Sequence, residues 1–266
     1  MFISTLHFLF PTHPYKATVV EEMFADQLAT VRAAGFSASL CPESAIKAGK
    51  PLRDVPAGAT VVYRGWMLNP AEYGRLAQAI TAASASPLTS PEAYLAAHYL
   101  PNWYPLIADD TPETRVLPLT ADFEAELRAI GWDAFFVKDY VKSLKTSRGS
   151  IIHNPAEIGP VIEEMKQFRG DIEGGLCVRR VESFVADSER RYFVIDGQPF
   201  AANGMSIPAI VERVASHIPS PFFSIDVAER TDGVLRVIEV GDGQVSDLVG
   251  WSAAEFAFIW KTIAAR

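Results

Sequence analysis

The sequence predicts two kinds of architecture in succession: an α/β region of alternating strands and helices, then an α+β region with antiparallel hairpins. In the first third, β-prone apolar segments alternate with segments of helical spacing, a pattern typical of a small parallel sheet covered by helices. Farther along, Asp196-Gly197 and Asp232-Gly233 each lie between two β-prone segments, which indicates tight hairpin turns.

Composition limits the classes of partner. The chain has 266 residues, 49% of them hydrophobic, which is enough for a sizeable core. Its net charge of −8 argues against a surface for nucleic acid or anionic membrane, because such surfaces need clustered Lys and Arg. We find no apolar run of about 20 residues and no basic segment before the apolar N-terminus, so we expect a cytoplasmic protein. Two distant cysteines, Cys41 and Cys177, predict buried thiols, and a homodimer is left open.

The elements of the first third follow from periodicity. Val20, Phe24, Leu28 and Val31 have helical spacing, and Asn69-Pro70-Ala71-Glu72 has the residues of a helix start with a capping box. The predicted strands are Phe2 to Phe10, Phe36 to Leu40 and Thr60 to Tyr63.

The pattern changes after residue 100. Leu100 to Pro118 is rich in Pro, Asp and Thr and predicts a linker, after which Thr120 is expected to cap a helix. Ser252 to Glu255 is expected to be the capping box of a final helix. Between these lie the predicted strands 134–138, 176–181, 192–195, 198–202, 222–228 and 234–240, and a helix that starts at Asn154.

Several common motifs are absent from the sequence. It contains no G-x-x-x-x-G-K-[ST] loop, and Gly241-Asp242-Gly243 lacks the third glycine of a dinucleotide-binding fingerprint. The five histidines are scattered without zinc spacing.

Two acidic residues interrupt apolar strands. A turn centred on Asp232-Gly233 would set Asp226 opposite Glu239, and like charges at such positions repel unless a cation or a proton lies between them. A hard divalent ion such as Mg²⁺ accepts carboxylate oxygens and substrate phosphates. Two acids on a solvated sheet face are the alternative, and the pattern alone leaves both open.

A cationic segment follows the strand that ends at Lys138. Lys142, Lys145 and Arg148 lie there among small hydroxyl residues, ahead of Gly149. Such a loop can fold over phosphates through backbone N–H groups and mobile cations, although a solvated basic loop is the alternative.

Further charges surround two later strands. The runs Arg179-Arg180-Val181-Glu182 and Glu189-Arg190-Arg191 are compatible with surface ion pairs. Arg64 ends the strand Val61-Val62-Tyr63, so it is either a cleft residue that binds a substrate carboxylate or a surface arginine.

The order of these features resembles the ATP-grasp superfamily of carboxylate–amine ligases. The matching parts are the strand ending in Phe136-Val137-Lys138, the loop closing at Gly149, the segment Val181-Glu182-Ser183-Phe184, the run from Glu189, and the acidic hairpin. The Glu182 to Glu189 and Asp226 to Glu239 intervals are similar to those of D-alanine–D-alanine ligases. The hairpin sequence is similar to a small ATP-grasp clade labelled for its arginine and lysine residues.

The resemblance implies a nucleotide site. Lys138 would contact the ATP phosphates and the adenine edge, with Lys142 as a further contact, and Glu189 would take the ribose hydroxyls. The hinge segment that would line adenine consists of Glu182, Ser183 and Phe184. Asp226 and Glu239 would hold Mg²⁺.

One departure concerns the metal. The family usually has Asn two residues beyond the metal-binding Glu, and this chain has Gly241 there. Asp242 is the nearest substitute ligand, while a turn-shaping role is the alternative because Asp often precedes Gly in turns.

The resemblance also implies domains and chemistry. Residues 1–110 would be a pre-ATP-grasp domain and 111–266 the ATP-grasp domain, with a small subdomain at 111–182 and a large one at 183–266. ATP would phosphorylate a small-molecule carboxylate, and an amine would then displace phosphate to give an amide. Arg64, Lys145 and Arg191 are the expected catalytic cations. A kinase that phosphorylates a small substrate and a non-catalytic ATP-binding module are the alternatives.

Overall fold

A computed structural model describes residues 5–141 and 149–265. The strands are β1 (Leu6–His13), β2 (Lys16–Val20), β3 (Ser37–Cys41), β4 (Thr60–Tyr63), β5 (Ser86–Pro87), β6 (Thr114–Leu117), β7 (Phe135–Asp139), β8 (Ile151–Ile152), β9 (Leu176–Arg180), β10 (Arg190–Ile195), β11 (Gln198–Ala201), β12 (Phe222–Glu229) and β13 (Leu235–Asp242). The α-helices are α1 (Ala25–Ala33), α2 (Glu43–Lys47), α3 (Pro70–Ala82), α4 (Pro91–His98), α5 (Leu100–Trp103), α6 (Phe123–Ile130), α7 (Ile158–Arg169), α8 (Ala209–Ala215) and α9 (Ala253–Ala264). Short 3₁₀ helices cover Glu22–Phe24, Tyr104–Leu106, Ala108–Asp110, Pro155–Glu157 and Ala202–Gly204.

The first sheet has five strands, and its centre is parallel as the sequence predicts. Strand β1 pairs in parallel with β3 and β4, and β4 pairs with β5. Strand β2 pairs antiparallel with the end of β1. The prediction that Val20 belongs to the following helix is wrong, because Val20 ends β2 and the α-helix starts at Ala25.

Helix caps are confirmed where the side chain reaches the third helical residue. Asn69 accepts from Glu72 N at 2.9 Å, and Glu72 accepts in return from Asn69 N. Ser252 and Glu255 form the same reciprocal box at the start of α9. The predicted cap Thr120 is wrong: Asp122 caps α6 by accepting from Ala125 N at 3.1 Å.

The second sheet is built from the two predicted hairpins, in the order β11-β10-β12-β13. Asp196 and Gly197 both have positive φ, +49° and +76°, which is the backbone of a two-residue hairpin turn. Gly233 closes the other turn at φ +85°, with its N–H donated to Arg230 O.

The third sheet is antiparallel, in the order β6-β9-β7-β8. Its edge strand β6 lies inside the segment 100–118 that was predicted to be a linker. That prediction is wrong, because the segment also contains α5, and Thr114 to Leu117 pair in register with Arg179 to Leu176.

The chain divides into two compact units. Unit 1 comprises 1–97, 190–225 and 241–266, and unit 2 comprises 98–189 and 226–240. This division differs from the expected boundary at residue 110, because β12 and β13 each contribute to both units. The expected family domains therefore stay a prediction.

Each unit has its own apolar core. In unit 1, aromatic rings of the parallel sheet and of α9 pack together, as in the edge-to-face pair of Phe8 and Trp260. In unit 2, α6 and α7 pack on the antiparallel sheet through residues such as Leu127, Val161 and Phe135.

Both cysteines are buried free thiols, as predicted. Among the described helices, none combines the length and the apolar character that a membrane crossing requires.

Candidate active site

The pairing of β7 with β9 places three functional side chains on one face of the unit 2 sheet. Lys138 lies opposite Cys177, and Phe136 lies opposite Arg179. Side chains alternate between the two faces of a strand, so Phe136, Lys138 and Arg179 share a face.

This face forms one wall of a cavity of about 430 Å³ in unit 2. That volume is in the range of small-molecule binding sites. Its lining combines apolar, cationic and acidic side chains: Pro112, Phe136, Lys138, Ile151, Arg179, Arg180, Val181, Glu182, Phe184, Glu189, Ile238 and Glu239. The cavity therefore gathers sequence-predicted residues from β7, β13 and the segment after β9.

Lys138 is paired with one of the predicted metal ligands. Its Nζ lies 3.3 Å from Glu239 Oε1, and its side chain is 6% exposed while that of Glu239 is 45% exposed. Glu239 thus already faces a cation, and Lys138 is held at the cavity wall by a partner that solvent can still reach.

Arg179 is a second buried cation at the cavity. Its NH1 donates to Ile238 O at 2.5 Å and its NH2 to Thr111 Oγ1 at 2.6 Å, whereas Nε has no hydrogen-bond partner among the described residues. Burial lowers the pKa of the guanidinium to about 10, and the nearby Glu239 carboxylate opposes that shift.

The hinge segment is attached to the β12–β13 hairpin. Phe184 forms an isolated antiparallel bridge with Arg230, through Thr231 N to Ser183 O at 2.9 Å and Val185 N to Glu229 O at 2.8 Å. In such a bridge the N–H and C=O of the central residue point away from the partner strand. The backbone polar groups of Phe184 therefore point away from the hairpin, and Phe184 lines the cavity.

The Glu182 carboxylate is held by an ion pair. Arg236 donates from Nε to Oε2 at 3.1 Å and from NH2 to Oε1 at 3.0 Å, and the Glu182 side chain is 13% exposed. Both carboxylate oxygens are thus engaged by one guanidinium.

Asp226 is buried on β12, the strand that neighbours β13 in the sheet. Within residues 5–141 and 149–265, no group of three or more His, Cys, Asp and Glu side chains is arranged to hold a metal ion. The opposition of Asp226 and Glu239 stays a prediction.

Arg64 lies in unit 1 and is 1% exposed, so the surface alternative is wrong. Its Nε donates to Gln27 Oε1 at 3.0 Å, its NH1 to Gly243 O and its NH2 to Ser246 O at 3.0 Å. The guanidinium also lies 4.6 Å from the centroid of the Phe256 ring. Burial lowers its pKa to about 10. Arg64 therefore fastens the loop that follows β13.

Asp242 is fully buried in unit 1, at the end of β13. Its Oδ1 accepts from Gln244 N at 3.0 Å and from Gln244 Nε2 at 3.1 Å, the first of which is the turn contact that the sequence left open. Its Oδ2 has no partner in the described part of the chain. Burial raises the pKa of this carboxyl to about 7, against the opposing hydrogen bonds from Gln244.

The remaining predicted cations differ in what the structure describes. Arg191 is half-buried in unit 1, and its NH1 donates to Asp247 O at 2.8 Å. Lys142 and Lys145, together with most of the predicted phosphate loop, lie outside the described residues. Arg64 and Arg191 therefore bind carbonyls of the same loop, 243–247.

Sequence reasoning missed two arginines of the cavity region. Arg179 was counted with surface ion pairs although it is buried, and Arg236 was not singled out. A partial signal existed for Arg179, since it alternates with the apolar Cys177 on a strand. Nothing local marked Arg236, because its partners Asp109, Thr111 and Glu182 are distant in sequence.

Comparison with known proteins identifies the fold. The structure of the D-cycloserine synthetase DcsG matches with a TM-score of 0.66 and 15% identity, covering 98% of this chain and 99% of that chain. D-alanine–D-alanine ligase from Bacillus anthracis, complexed with ATP, matches with a TM-score of 0.61 and 12% identity, covering 98% and 92%. The ATP-grasp ligase PsnB, complexed with precursor peptide PsnA2 and AMPPNP, matches with a TM-score of 0.60 and 12% identity, covering 99% and 98%.

These similarities define the fold of this chain as that of the ATP-grasp ligases. Residues 129–263, more than half of the chain, match the ATP-grasp domain of family 3 in the clade labelled for its arginine and lysine residues, and the chain belongs to that family. A search of curated proteins finds no match.

Proposed function

We propose that this protein is an ATP-dependent ligase that joins a carboxylate to an amine through an acyl phosphate. The observation that carries the proposal is the unit 2 cavity, where Lys138, Glu182, Phe184, Glu189 and Glu239 converge from separate stretches of the sequence. The solved structures of similar fold support it, since they include a D-alanine–D-alanine ligase complexed with ATP.

The nucleotide base would lie at the hinge. Phe184 offers an apolar ring, and its backbone N–H and C=O are directed away from the hairpin, which suits the donor and acceptor edge of a purine. Because the Glu182 carboxylate is engaged by Arg236, its contribution to the base would come from its backbone. Ser183 would act through the backbone as well, since its carbonyl anchors the hinge to Thr231.

Ribose and phosphates would follow along the cavity wall. Glu189 supplies a carboxylate that accepts hydrogen bonds from ribose hydroxyls, and Lys138 supplies the cation for phosphate. Lys142 would add a second cation.

Two carboxylates suit a hard divalent cation. Glu239 already has Oε1 within 3.3 Å of an ammonium group, and Asp226 is a second carboxylate on the neighbouring strand. Bound Mg²⁺ would supply neutralisation of phosphate charge during phosphoryl transfer. Asp242 stays a proposed further ligand through the Oδ2 oxygen that has no described partner.

The proposed reaction balances in two steps. A substrate carboxylate oxygen attacks the γ-phosphorus of ATP and ADP leaves, and then the amine nitrogen attacks the acyl carbon, loses a proton and releases phosphate. Lys145 and Arg191 are the proposed cations for the transferring group. Arg64 would act through its grip on Gly243 and Ser246, since its three nitrogens already donate to protein oxygens.

The substrates are proposed as a small carboxylate and a small amine. The PsnB structure contains a precursor peptide, so short peptides belong in the test as well. Cytoplasmic location and a homodimer stay predictions.

A phosphate-release screen tests the function. The purified chain is incubated with ATP and Mg²⁺ and with pairwise mixtures of amino acids, small carboxylates and short peptides. A ligase releases phosphate only when carboxylate and amine are both present, and a kinase forms ADP and a phosphorylated product without the amine.

The screen includes two variants in parallel. Lys138→Met should lose activity, while Lys166→Met, which removes an exposed lysine paired with Glu163, should keep it. Absence of ATP binding in the wild-type chain would overturn the proposal.

A further inference from the structure

Arg236 is the most extensively hydrogen-bonded arginine side chain near the cavity in the described ranges, yet it does not line the cavity. Besides its two bonds to Glu182, its NH1 donates to Asp109 O at 2.6 Å and its NH2 to Thr111 O at 2.5 Å. Its side chain is 15% exposed. One guanidinium therefore connects β13 to two other segments of the chain.

The first connected segment is the hinge. The Arg236–Glu182 pair has both parallel bonds of a fork, which fixes the direction as well as the distance of the carboxylate. Two residues beyond Glu182, Phe184 lines the cavity and is bridged to Arg230 on the same hairpin. The hinge is thus tied to the hairpin at two points, and Arg236 provides one of them.

The second connected segment is 109–112, whose Pro112 also lines the cavity. Arg236 holds the carbonyls of Asp109 and Thr111, and the Thr111 hydroxyl donates to Val237 O at 2.7 Å. These bonds fasten the segment along β13, which carries the cavity residues Ile238 and Glu239.

We infer that Arg236 is a positioning residue of the nucleotide cavity, holding the hinge and the Pro112 wall at a fixed spacing from β13. The inference rests on the proposed function. Arg236 does not touch the nucleotide: it removes from the binding step the entropy cost of ordering two loop segments. Lysine cannot replace it fully, because a point charge lacks the planar fork that serves Glu182 and two carbonyls at once.

The experiment compares Arg236→Met and Arg236→Lys with wild type by calorimetric titration of AMPPNP with Mg²⁺, steady-state kinetics and urea unfolding. We expect Arg236→Met to raise the Kd for nucleotide at least tenfold and the KM for ATP in parallel, with kcat at saturating ATP within twofold. Arg236→Lys should recover part of the affinity. The preference for ATP over GTP should narrow in both variants, because a looser wall discriminates base shapes less.

Arg230→Met is the matched control on the same hairpin. Arg230 lies 3.8 Å from Glu182 Oε2, but it forms its close pair with the exposed Asp232 at 2.7 Å, so its removal should change the Kd by less than twofold. Glu182→Gln provides a second route to the same fork should Arg236→Met fail to fold, and it should resemble Arg236→Lys.

The outcomes separate this inference from the function. If wild type binds AMPPNP and folded Arg236→Met or Glu182→Gln binds it within twofold with unchanged base preference, Arg236 is merely structural and the inference is overturned. If wild type binds no nucleotide, the proposed function fails and the inference fails with it.

Discussion

Two buried arginines with similarly lowered pKa values have different surroundings. Arg64 of unit 1 has a protein acceptor for each of its three nitrogens and an aromatic ring against its face. Arg179 of unit 2 has a buried Nε without a partner in the described chain, and it lies at a cavity beside a carboxylate. A buried charge that is fully satisfied organises a loop, whereas one that is partly satisfied at a cavity leaves donor capacity for a ligand.

The same contrast extends to the acids. Asp242 of unit 1 has no contact with solvent and is enclosed by its own turn, whereas Glu239 of unit 2 is half-exposed and bonded to the nearly buried Lys138. Changes in the unit 1 cluster should therefore be measured as stability, and changes in the unit 2 cluster as binding.

The largest expected effect comes from Arg64→Met. It leaves three buried acceptors on Gln27, Gly243 and Ser246 without donors, each worth about 1–3 kcal/mol, so the free energy of unfolding should fall by about 4 kcal/mol or more. Urea unfolding measures it, with the exposed Arg32→Met as control at under about 0.5 kcal/mol. The ATP affinity of the folded fraction should stay within threefold, and an unfolding change below about 1 kcal/mol would contradict the closed cluster.

Next is the pH dependence of stability through Asp242. Its pKa of about 7 in the folded chain exceeds the ordinary 3.8, so the native state holds more protons than the unfolded state between these values. Stability should therefore fall as pH rises from about 4 to about 7, by on the order of 3 kcal/mol, and then level off.

The measurement is the difference in unfolding free energy between wild type and Asp242→Asn, in chelator, across that pH range. Taking the difference removes other titrating groups, such as His7. Burial lowers the pKa of His7, so its stabilisation is lost as pH falls below its ordinary 6.5. Parallel curves for the two proteins would show that Asp242 does not titrate in this range.

A smaller effect, on binding alone, is expected for Lys138→Met. Loss of a charge-assisted contact to phosphate should weaken MgATP binding by about 2 kcal/mol, roughly thirtyfold. Stability should change little, because the partner Glu239 is half-exposed and gains solvent when the lysine is lost. Calorimetry decides it beside Lys166→Met, and unchanged affinity would remove Lys138 from the site.

The smallest expected effect sharpens the role of the Lys138–Glu239 pair. Glu239→Gln frees Lys138 from its carboxylate, so this variant should bind metal-free ATP more tightly than wild type, by a factor of about five, or roughly 1 kcal/mol. With Mg²⁺ present the order should reverse, because the amide is a poorer ligand than the carboxylate. The same order with and without Mg²⁺ would refute the exchange of partners.

The sequence by itself determined the local features whose causes are local. Asn69 with Glu72 and Ser252 with Glu255 cap their helices because the contacting groups are three residues apart. Asp196-Gly197 formed its turn because both positions need positive φ. The order of the motifs along the chain was sufficient to suggest the family, since order needs no coordinates.

Only the tertiary structure decided which charges meet. Lys138 and Glu239 are 101 residues apart, and Arg236 reaches Asp109 across 127 residues, distances over which no periodicity carries information. Thr120 and Asp122 are both suitable caps by composition, and the start of α6 selected Asp122. Arg64 could not be assigned from its strand alone, because the burial of a guanidinium depends on acceptors that distant segments bring to it.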